Sequence, residues 1–357
     1  METVPCLFVE DLTETQKRAY ILADNRLAED AGWDMEILQS ELEFLQDADF
    51  AVSLTGFSMD DIDLTDTDID LKGDDFDAEA ELPEVPTAKY GDIYKLGQHR
   101  LMCGSSTDAD DVQKLVDGAV MDLCVTDPPY NVDYEGTAGK IENDNMDDLS
   151  FHDFLFDFYT QMLSVLREGG AYYIFHADSE GLNFRAALKK AGGQVKETLI
   201  WVKNSLVLGR QDYQWKHEPC LYGWKDGAAH YFTNDRCQTT VFEDDTALKK
   251  MTKEQLIEVI KESQDMINPS TIIHEAKPQR NELHPTMKPI NLIGRLVRNS
   301  SKSKENVFDG FGGSGSTLIA CEQLGRKCYT MELDPKYVDV IIKRWEELTG
   351  KKAVKIN

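Results

Sequence analysis

The sequence has no apolar run long enough to cross a membrane, which takes about 18 or more residues. Its first residues, METVPCLFVEDLTE, have neither a basic start nor a long apolar core, so no signal peptide is predicted. The seven cysteines form no CxxC pair and fall mostly in apolar segments. We therefore expect buried, reduced thiols, with neither a metal site nor a disulfide framework. These features predict a cytoplasmic protein with no membrane partner.

Basic residues are scarce in the first quarter of the chain. Residues 1–88 contain 25 Asp and Glu against 4 Lys and Arg, whereas residues 89–357 contain 40 acids against 34 bases. The net charge of −27 therefore comes mainly from the first part. The remainder is close to neutral and is compatible with a basic face that binds phosphate.

The first quarter is predicted to be a small helical segment, 1–46, followed by an acidic linker, 47–88. Two helices are predicted within the first segment, and the capping-box pair Thr13 and Gln16 opens the first of them. The second segment is rich in Asp and contains two prolines, so it repels itself and buries little apolar surface. A DNA mimic or a regulatory tail is the alternative interpretation of this acidic segment.

From residue 89 onward, short apolar runs alternate with helical stretches. The predicted strands are 99–103, 121–126, 171–176 and 197–202, the predicted helices are 151–166 and 180–191, and a strand–helix–strand–helix unit follows at 305–349. This alternation is typical of an α/β fold, a mostly parallel sheet with helices on both faces. Residues 225–283 lack it and are predicted to be an insertion with one amphipathic helix, TKEQLIEVIKESQDM.

A glycine-rich loop, FDGFGGSGST at 308–317, follows an apolar strand near the end of the sequence. Glycines allow sharp turns and a close approach of the backbone to a ligand. The next strand ends at Glu332, where a carboxylate can accept hydrogen bonds from ribose hydroxyls. Only one further helix follows, which favours S-adenosylmethionine, a ligand with one adenosine and a short charged tail, over NAD. A purely structural turn is the alternative.

A second ligand-facing turn is DPPY, in which the strand 121–126 runs directly into Asp127, Pro128, Pro129 and Tyr130. Ligands of open α/β sheets bind at the carboxyl ends of the strands, so we expect this turn and the glycine loop to line one cleft. The prolines fix φ and remove two donors, which leaves the Asp127 carboxylate and the Pro128 carbonyl as acceptors. Two acceptors beside an aromatic ring suit the exocyclic amine of a base taken out of a duplex. A plain strand-ending turn is the alternative.

Together with HPTMKP at 284–289, these motifs resemble the β-group of amino-methylating DNA methyltransferases, in which the catalytic motif precedes the cofactor loop. The resemblance covers about 89–357. It implies a Rossmann-like, S-adenosylmethionine-dependent methyltransferase sheet with a circularly permuted motif order and an inserted target-recognition region at about 225–283. Two segments, 91–108 and 201–225, are similar to phage and prophage members. Residues 5–46 resemble the last helices of a ParB-like domain, so 1–46 is interpreted as a truncated remnant of one.

The resemblance also implies roles for individual residues. Asp127, Pro128, Pro129 and Tyr130 would hold and stack the target base, and Glu332 would hold the ribose. The remaining cofactor contacts would come from Asp309, Phe311, Gly312, Gly313, Gly315 and Thr317, with Thr286 and Lys288 of HPTMKP on the cofactor side of the cleft. Two positions depart from the family pattern. Ser105 replaces a usual Asp, which puts the grip on the adenine in doubt, and Gly310 stands where Pro is frequent.

Basic and aromatic residues alternate in 200–225, a pattern suited to phosphate contacts and to stacking on an opened strand. The predicted DNA-binding residues are Lys203, Arg210, Lys216 and His217. The last of these begins His217-Glu218-Pro219, which resembles a family loop beside the target base. We expect at least two of the tryptophans to be core residues.

The sequence thus predicts a site-specific, S-adenosylmethionine-dependent methyltransferase that acts on double-stranded DNA, with adenine N6 as the preferred target. Cytosine N4 stays open because DPPY serves both reactions in the family. Two functions of other classes stay open as well: methylation of RNA or of a protein glutamine, which uses a similar turn in the opposite motif order, and a non-catalytic DNA-binding adaptor. The expected setting is the cytoplasm of a bacterium or of a phage-infected host, as part of restriction–modification, and a homodimer is left open.

Overall fold

The computed structural model divides the chain into two compact units, Met1–Ile69 and Asp70–Asn357, which are described separately. The described residues are 13, 15–20, 41–42, 44–45, 48, 50–55, 71–74, 76–132, 135–136, 139–140, 144–207, 212–233, 238–243 and 287–357. Among them, no helix has the length and apolar character needed to span a bilayer.

Within the predicted helical segment, 1–46, residues 15–20, 41–42 and 44–45 are helical, whereas residues 52–55 fall in the predicted linker. Residues 15–20 form a helix whose start has the predicted capping box. The Gln16 backbone N–H donates to Thr13 Oγ1 at 3.3 Å, and the Thr13 N–H donates to Gln16 Oε1 at 3.0 Å. A short 3-10 helix, Val52–Thr55, follows later in the unit.

The second unit contains alternating strands and helices. Its strands are β1 Ile93–Leu96, β2 His99–Cys103, β3 Met121–Thr126, β4 Glu135–Gly136, β5 Gly139–Lys140, β6 Leu166–Phe175, β7 Glu197–Val207, β8 Trp215–Trp224, β9 Val241–Glu243, β10 Asn306–Asp309, β11 Lys327–Glu332 and β12 Val354–Lys355. Its α-helices are α1 Ala109–Val116, α2 Asp148–Val165, α3 Gly181–Lys190, α4 Ile290–Ser300, α5 Ser316–Gln323 and α6 Pro335–Thr349. The amphipathic helix predicted within the insertion lies outside the described residues.

Ten of these strands form one sheet, in the order β12-β1-β2-β11-β10-β3-β6-β8-β7-β9. The five strands from β2 to β6 in this order are parallel, which confirms the α/β prediction for the centre of the sheet. The two sides of the sheet differ from its centre, because they contain antiparallel pairs. On one side β1 pairs with β12 and β2, and on the other side β8 pairs with β6 and β7. The remaining strands, β4 and β5, form a separate hairpin.

Both faces of the central sheet are buried, as expected for parallel strands. Successive side chains of a strand point to opposite faces. In β3, Cys124 packs in the cluster that includes Phe158 of α2, whereas its buried neighbours Leu123 and Val125 lie outside that cluster. The apolar stripe of α4, which includes Ile293, is buried as well. The burial of Cys103, Cys124, Cys220, Cys321 and Cys328 as free thiols confirms the prediction for those five cysteines.

The segment predicted to be a linker is ordered against the second unit over its last part. Leu71 is 8% exposed and its side chain lies against Gly294 of α4, and Ala78 and Ala88 are buried too. Asp339 of α6 accepts hydrogen bonds from the backbone N–H groups of Thr87 and Ala88. The predicted linker therefore does not extend to residue 88. The prediction was based on the average charge of the segment. It did not take account of the few apolar residues that are buried, or of the acidic residues that bind specific partners in the second unit.

Candidate active site

The DPPY turn and the glycine loop start side by side. Strands β3 and β10 are parallel neighbours, with Leu123 opposite Val307. Their last residues are joined by a hydrogen bond, in which Thr126 Oγ1 donates to Asp309 Oδ1 at 3.1 Å. Two motifs that are roughly 180 residues apart in sequence therefore open onto the same edge of the sheet, which is where open α/β sheets bind ligands.

Four side chains form what we call the acceptor cluster: Asp127, Tyr130, Glu218 and Lys288. The Tyr130 hydroxyl donates to Asp127 Oδ1 at 2.5 Å, and Lys288 Nζ donates to Asp127 Oδ2 at 2.5 Å. Lys288 Nζ also lies 3.0 Å from both the Tyr130 hydroxyl and Glu218 Oε2. Lys203 pairs with the other carboxylate oxygen, Glu218 Oε1. Asp127 is thus held by a network of ion pairs and hydrogen bonds. This network joins the DPPY turn, the strands β7 and β8, and the segment before α4.

The charges of the acceptor cluster depend on one another. Burial raises the pKa of Asp127 above its ordinary value, with a further contribution from Glu218, against the opposing effect of Lys288. Burial acts in the same direction on Glu218, but Lys288 and Lys203 bring the pKa of that carboxyl below its usual range. Burial opposes the charge of Lys288, yet the two carboxylates raise the pKa of its ammonium. Lys288 is therefore the cation that the two buried acids share, and its charge favours the ionised form of each.

Aromatic rings surround the Lys288 ammonium. Nζ lies 5.3 Å from the ring centroid of Tyr130, 5.1 Å from Phe175 and 5.9 Å from Trp201. The Trp201 side chain is 5% exposed, and its buried Nε1 has no hydrogen-bond partner within the part of the chain that the structure describes. The Asp127 side chain, by contrast, is 29% exposed. The site thus combines aromatic rings around a cation with a carboxylate that a ligand can reach.

The glycine loop is held by two acids. Asp309 accepts from Thr126 and from the Phe311 backbone N–H at 3.1 Å. Glu332, at the end of β11, accepts from the Gly313 N–H at 2.7 Å and from the Asp334 N–H at 2.9 Å. Burial raises the pKa of Asp309 to about 7 and that of Glu332 to about 7.

The shape of this loop explains its glycines. Gly313 and Gly315 have φ values of +50° and +84°, which glycine adopts without a steric penalty. A Cβ at Gly312 would lie 2.8 Å from Thr330 Oγ1, whereas a Cβ at Gly313 would meet nothing within 4 Å. The loop therefore presents an open side next to Glu332. Open backbone beside buried acids fits a ligand with ribose hydroxyls and a positively charged tail.

The other predicted cofactor residues lie around this loop. The Phe311 ring packs against Phe158 of α2 at a centroid distance of 4.8 Å, and Thr317 is buried at the start of α5. Gly310 has no room for a side chain, because a Cβ there would lie 2.5 Å from Phe158, which accounts for this departure from the family pattern. Ser105 follows the end of β2, where its Oγ lies 2.8 Å from Thr107 Oγ1.

The structure places the predicted basic residues in different surroundings. The side chain of Lys288, which was predicted on the cofactor side of the cleft, binds Asp127, and its backbone carbonyl accepts from Ser316 Oγ in the loop at 2.9 Å. Lys203 pairs with Glu218 within the site, and Lys216 is exposed. His217 lies edge-on to Trp215 at 5.5 Å. Arg210 and Thr286 lie outside the described residues.

Sequence reasoning missed Glu218. The motif His217-Glu218-Pro219 is visible in the sequence, but it led to His217 as the predicted DNA contact. Position along β8 distinguishes the two residues: the exposed residues end at Lys216, His217 is half-buried, and continuous burial begins at Glu218. A buried acid on a strand needs a cation, and Lys288 and Lys203 supply two.

Comparison with known proteins places the chain in a family. The family model N6_N4_Mtase, DNA methylase, matches residues 121–344, and the ParB-methyltransferase HTH domain model matches residues 36–90. The chain is 26% identical to DNA adenine methyltransferase YhdJ of Escherichia coli (strain K12), over 65% of this chain and 78% of that protein. It is 24% identical to the type II methyltransferase M.HpaI of Haemophilus parainfluenzae, over 69% of this chain and 73% of that protein.

Among solved structures, the PvuII DNA methyltransferase, which is cytosine-N4-specific, shares the fold. The TM-score is 0.51 at 15% identity, over 73% of this chain and 94% of that chain. The N6_N4_Mtase model alone matches more than half of the residues. The chain therefore belongs to the DNA methylase family and is an S-adenosylmethionine-dependent DNA methyltransferase.

Proposed function

We propose that this enzyme methylates the N6 amine of adenine in double-stranded DNA, on a base that has left the duplex and stacks on Tyr130. The observation that carries the proposal is the acceptor cluster, in which the partly exposed Asp127 carboxylate stands beside an aromatic ring and next to the glycine loop. Adenine is favoured over cytosine by the similarity to an adenine methyltransferase. Cytosine N4 is the second candidate, because a cytosine-specific enzyme shares the fold.

In this proposal Asp127 acts on the amine by accepting its hydrogen bonds. The lone pair of an exocyclic amine is delocalised into the base, so the nitrogen is a weak nucleophile until acceptors draw that pair out of conjugation. Each Asp127 oxygen already accepts one bond, from Tyr130 or Lys288, and a carboxylate oxygen has capacity for a second. Attack leaves a surplus proton on the nitrogen, and the Asp127 carboxylate is the base within reach.

The glycine loop and the end of β11 would hold the cofactor, which supplies an electrophilic methyl group when bound. Glu332 would accept from the ribose hydroxyls, since one carboxylate can serve both a backbone N–H and a ligand. Asp309, Gly312, Gly313 and Gly315 would shape the loop around the charged tail, and Phe311 and Thr317 would support it from the core.

The finer classification follows from the order of the motifs. DPPY precedes the glycine loop, with HPTMKP between them, which supports assignment to the β-group, and the segments 91–108 and 201–225 support a phage or prophage origin. Lys216, Arg210, His217 and the region 225–283 are proposed to contact DNA and to select the target sequence. This function requires access to DNA, which agrees with a bacterial cytoplasm, and association into a homodimer stays a prediction.

The experiment is to incubate the full chain with methyl-labelled S-adenosylmethionine and double-stranded DNA, and then to digest the DNA to nucleosides. We expect the label in N6-methyl-2′-deoxyadenosine. Label in N4-methyl-2′-deoxycytidine would replace adenine by the second candidate. Label only in RNA or in protein added as a competitor would overturn the proposed substrate.

A further inference from the structure

A buried arginine behind the glycine loop links the acidic segment to the cofactor site. Arg344 of α6 has a side chain that is only 2% exposed. Its Nε and NH2 groups donate to the two carboxylate oxygens of Asp74, each at 2.7 Å. Its NH1 group donates to the backbone carbonyl of Ser314 at 2.8 Å. The guanidinium therefore bridges a residue of the N-terminal acidic segment and the middle of the loop.

The contact falls in the glycine-rich part of the loop. Ser314 stands between Gly313 and Gly315, both at positive φ. Glycine has more accessible backbone conformations than any other residue, so contacts from outside the turn are needed to fix its backbone in one conformation. Arg344 NH1 also lies 3.4 Å from Ser316 Oγ, which donates in turn to the Lys288 carbonyl. A continuous set of contacts thus runs from Asp74 to the residue that binds Asp127.

Asp74 is the partner that makes this arrangement stable. A buried guanidinium without a counterion is strongly unfavourable, and a bidentate carboxylate satisfies its planar fork. Phe76, two residues further on, places its ring 5.5 Å from the same guanidinium. Without the Asp74 charge, Arg344 would turn toward water or other acceptors, and the hold on Ser314 would weaken.

We propose that Asp74 is a positioning residue of the cofactor site, which acts through Arg344 to fix the Ser314–Ser316 turn. The acidic segment N-terminal to the catalytic domain then sets the affinity for S-adenosylmethionine without touching it. This inference rests on the proposed assignment of the glycine loop to the cofactor.

The test compares Asp74→Asn with the matched control Glu81→Gln. Glu81 lies in the same segment and pairs with Lys343, the residue next to Arg344 on α6, but that ion pair does not reach the loop. The measurements on the full chain are calorimetric affinity for S-adenosylmethionine and hydrogen–deuterium exchange of residues 310–317 without cofactor. For Asp74→Asn we expect about tenfold weaker binding and faster exchange in the loop. We expect Glu81→Gln to match the wild type, and Asp74→Glu to recover part of the affinity.

The outcomes distinguish the positioning role from the cofactor assignment. If the wild-type chain fails to bind S-adenosylmethionine, the assignment of the loop to the cofactor is wrong, whatever Asp74 does. Unchanged loop exchange in Asp74→Asn overturns the positioning role. Equal losses of affinity in Asp74→Asn and Glu81→Gln overturn it too, because they would show that the segment only stabilises the domain.

Discussion

At the scale of single residues, Asp127 is the side chain on which the proposed reaction depends most directly. Replacing it by Asn keeps the size of the side chain but substitutes an N–H donor for one acceptor, beside the Tyr130 hydroxyl and Lys288. We expect Asp127→Asn to lower methyl transfer at least about a hundredfold. Affinity for S-adenosylmethionine, measured by calorimetry, should stay close to that of the wild type. Retained turnover with lost cofactor binding would reverse the roles assigned to the two turns.

Lys288 sets the pH range in which Asp127 is an anion. The reaction needs the ionised carboxylate, so the rate falls as the pH drops through the pKa of Asp127. Burial and Glu218 raise that pKa, and the Lys288 charge opposes them. Lys288→Met should therefore move the acidic limb of the kcat/KM profile to higher pH.

The matched control for Lys288→Met is Lys203→Met, because Lys203 pairs with Glu218 and has no ion pair with Asp127 among the described residues. Lys203→Met should shift the acidic limb of the kcat/KM profile less than Lys288→Met does. An acidic limb at the same pH in Lys288→Met and in the wild type would show that another group controls this ionisation.

Glu332 should make cofactor binding pH-dependent. Burial raises the pKa of its carboxyl to about 7, so in the free protein the group is neutral below that pH and anionic above it. The anion is the stronger acceptor for ribose hydroxyls, so affinity should fall as the pH drops below about 7. Glu332→Gln should cost on the order of 1.5–3 kcal/mol of binding free energy and flatten this dependence. Calorimetry between pH 6 and pH 8 checks both, and unchanged affinity would place the ribose elsewhere.

At the scale of elements, the turn from β10 into the glycine loop depends on a missing side chain at Gly310. A methyl group there would lie 2.5 Å from Phe158 and 3.2 Å from Ser106 Cβ, so Gly310→Ala should force the core to shift. We expect a loss of about 1–3 kcal/mol in the free energy of unfolding, measured by chemical denaturation.

Gly181 provides the comparison for that measurement. Its φ is −54°, and a Cβ there would make only an ordinary contact at 3.5 Å with His176. Gly181→Ala should therefore be neutral or stabilise by up to about 1 kcal/mol. Equal destabilisation by both substitutions would argue against a specific clash with Phe158.

The strands also show which secondary-structure elements can be predicted from sequence patterns. Strands β2 and β3 were predicted with their observed bounds, because apolar runs bounded by polar residues mark buried strands clearly. Strand β8 was not predicted as a strand, because its Trp, Lys and His residues indicated a binding surface. The position of β8 between β6 and β7 depends on pairings between distant residues, which local patterns do not encode.

The same limit applies to the candidate site. Asp127 and Tyr130 were predicted because only two residues, both proline, separate them within one rigid turn. The contact between Lys288 and Glu218 joins residues 70 positions apart, on a strand and in a segment that precedes a helix. The charges of these side chains were visible in the sequence, but their pairing depends on the folded sheet.

At the scale of the whole molecule, the first unit and the ordered acidic segment should respond differently to deletion. Residues 1–69 contain 18 Asp and Glu against 3 Lys and Arg, whereas residues 71–88 supply Leu71 and Asp74 to the second unit. Deleting 1–69 should leave the melting temperature of the catalytic unit nearly unchanged. Deleting 1–88 should lower the melting temperature, because Arg344 loses the Asp74 carboxylate and Leu71 no longer packs against Gly294.

The deletion of 1–69 should also leave DNA binding at least as tight as in the full chain. Although a helix-turn-helix domain model matches residues 36–90, that range contains 17 acids and 2 bases, which would repel phosphate. Any gain should fade with added salt, since the Debye length is about 10 Å at 0.1 M. Binding curves at two salt concentrations measure this. Weaker binding of the truncated chain at both concentrations would show that the first unit contacts DNA.

The order of strands in the sheet also determines when the protein can fold during its synthesis. Strands β10 and β11 lie between β3 and β2, yet roughly 180 residues separate the end of β3 from the start of β10. At about 5–20 residues per second, a ribosome takes about 10–40 s to cover that distance. During this interval β2 lacks its neighbour β11, and β3 lacks its neighbour β10. Each strand therefore has one unpaired edge, and unpaired apolar strand edges favour aggregation. The centre of the sheet is completed only when β10 and β11 emerge, so a nascent chain that stalls before residue 306 holds two groups of strands without the pair of strands that joins them.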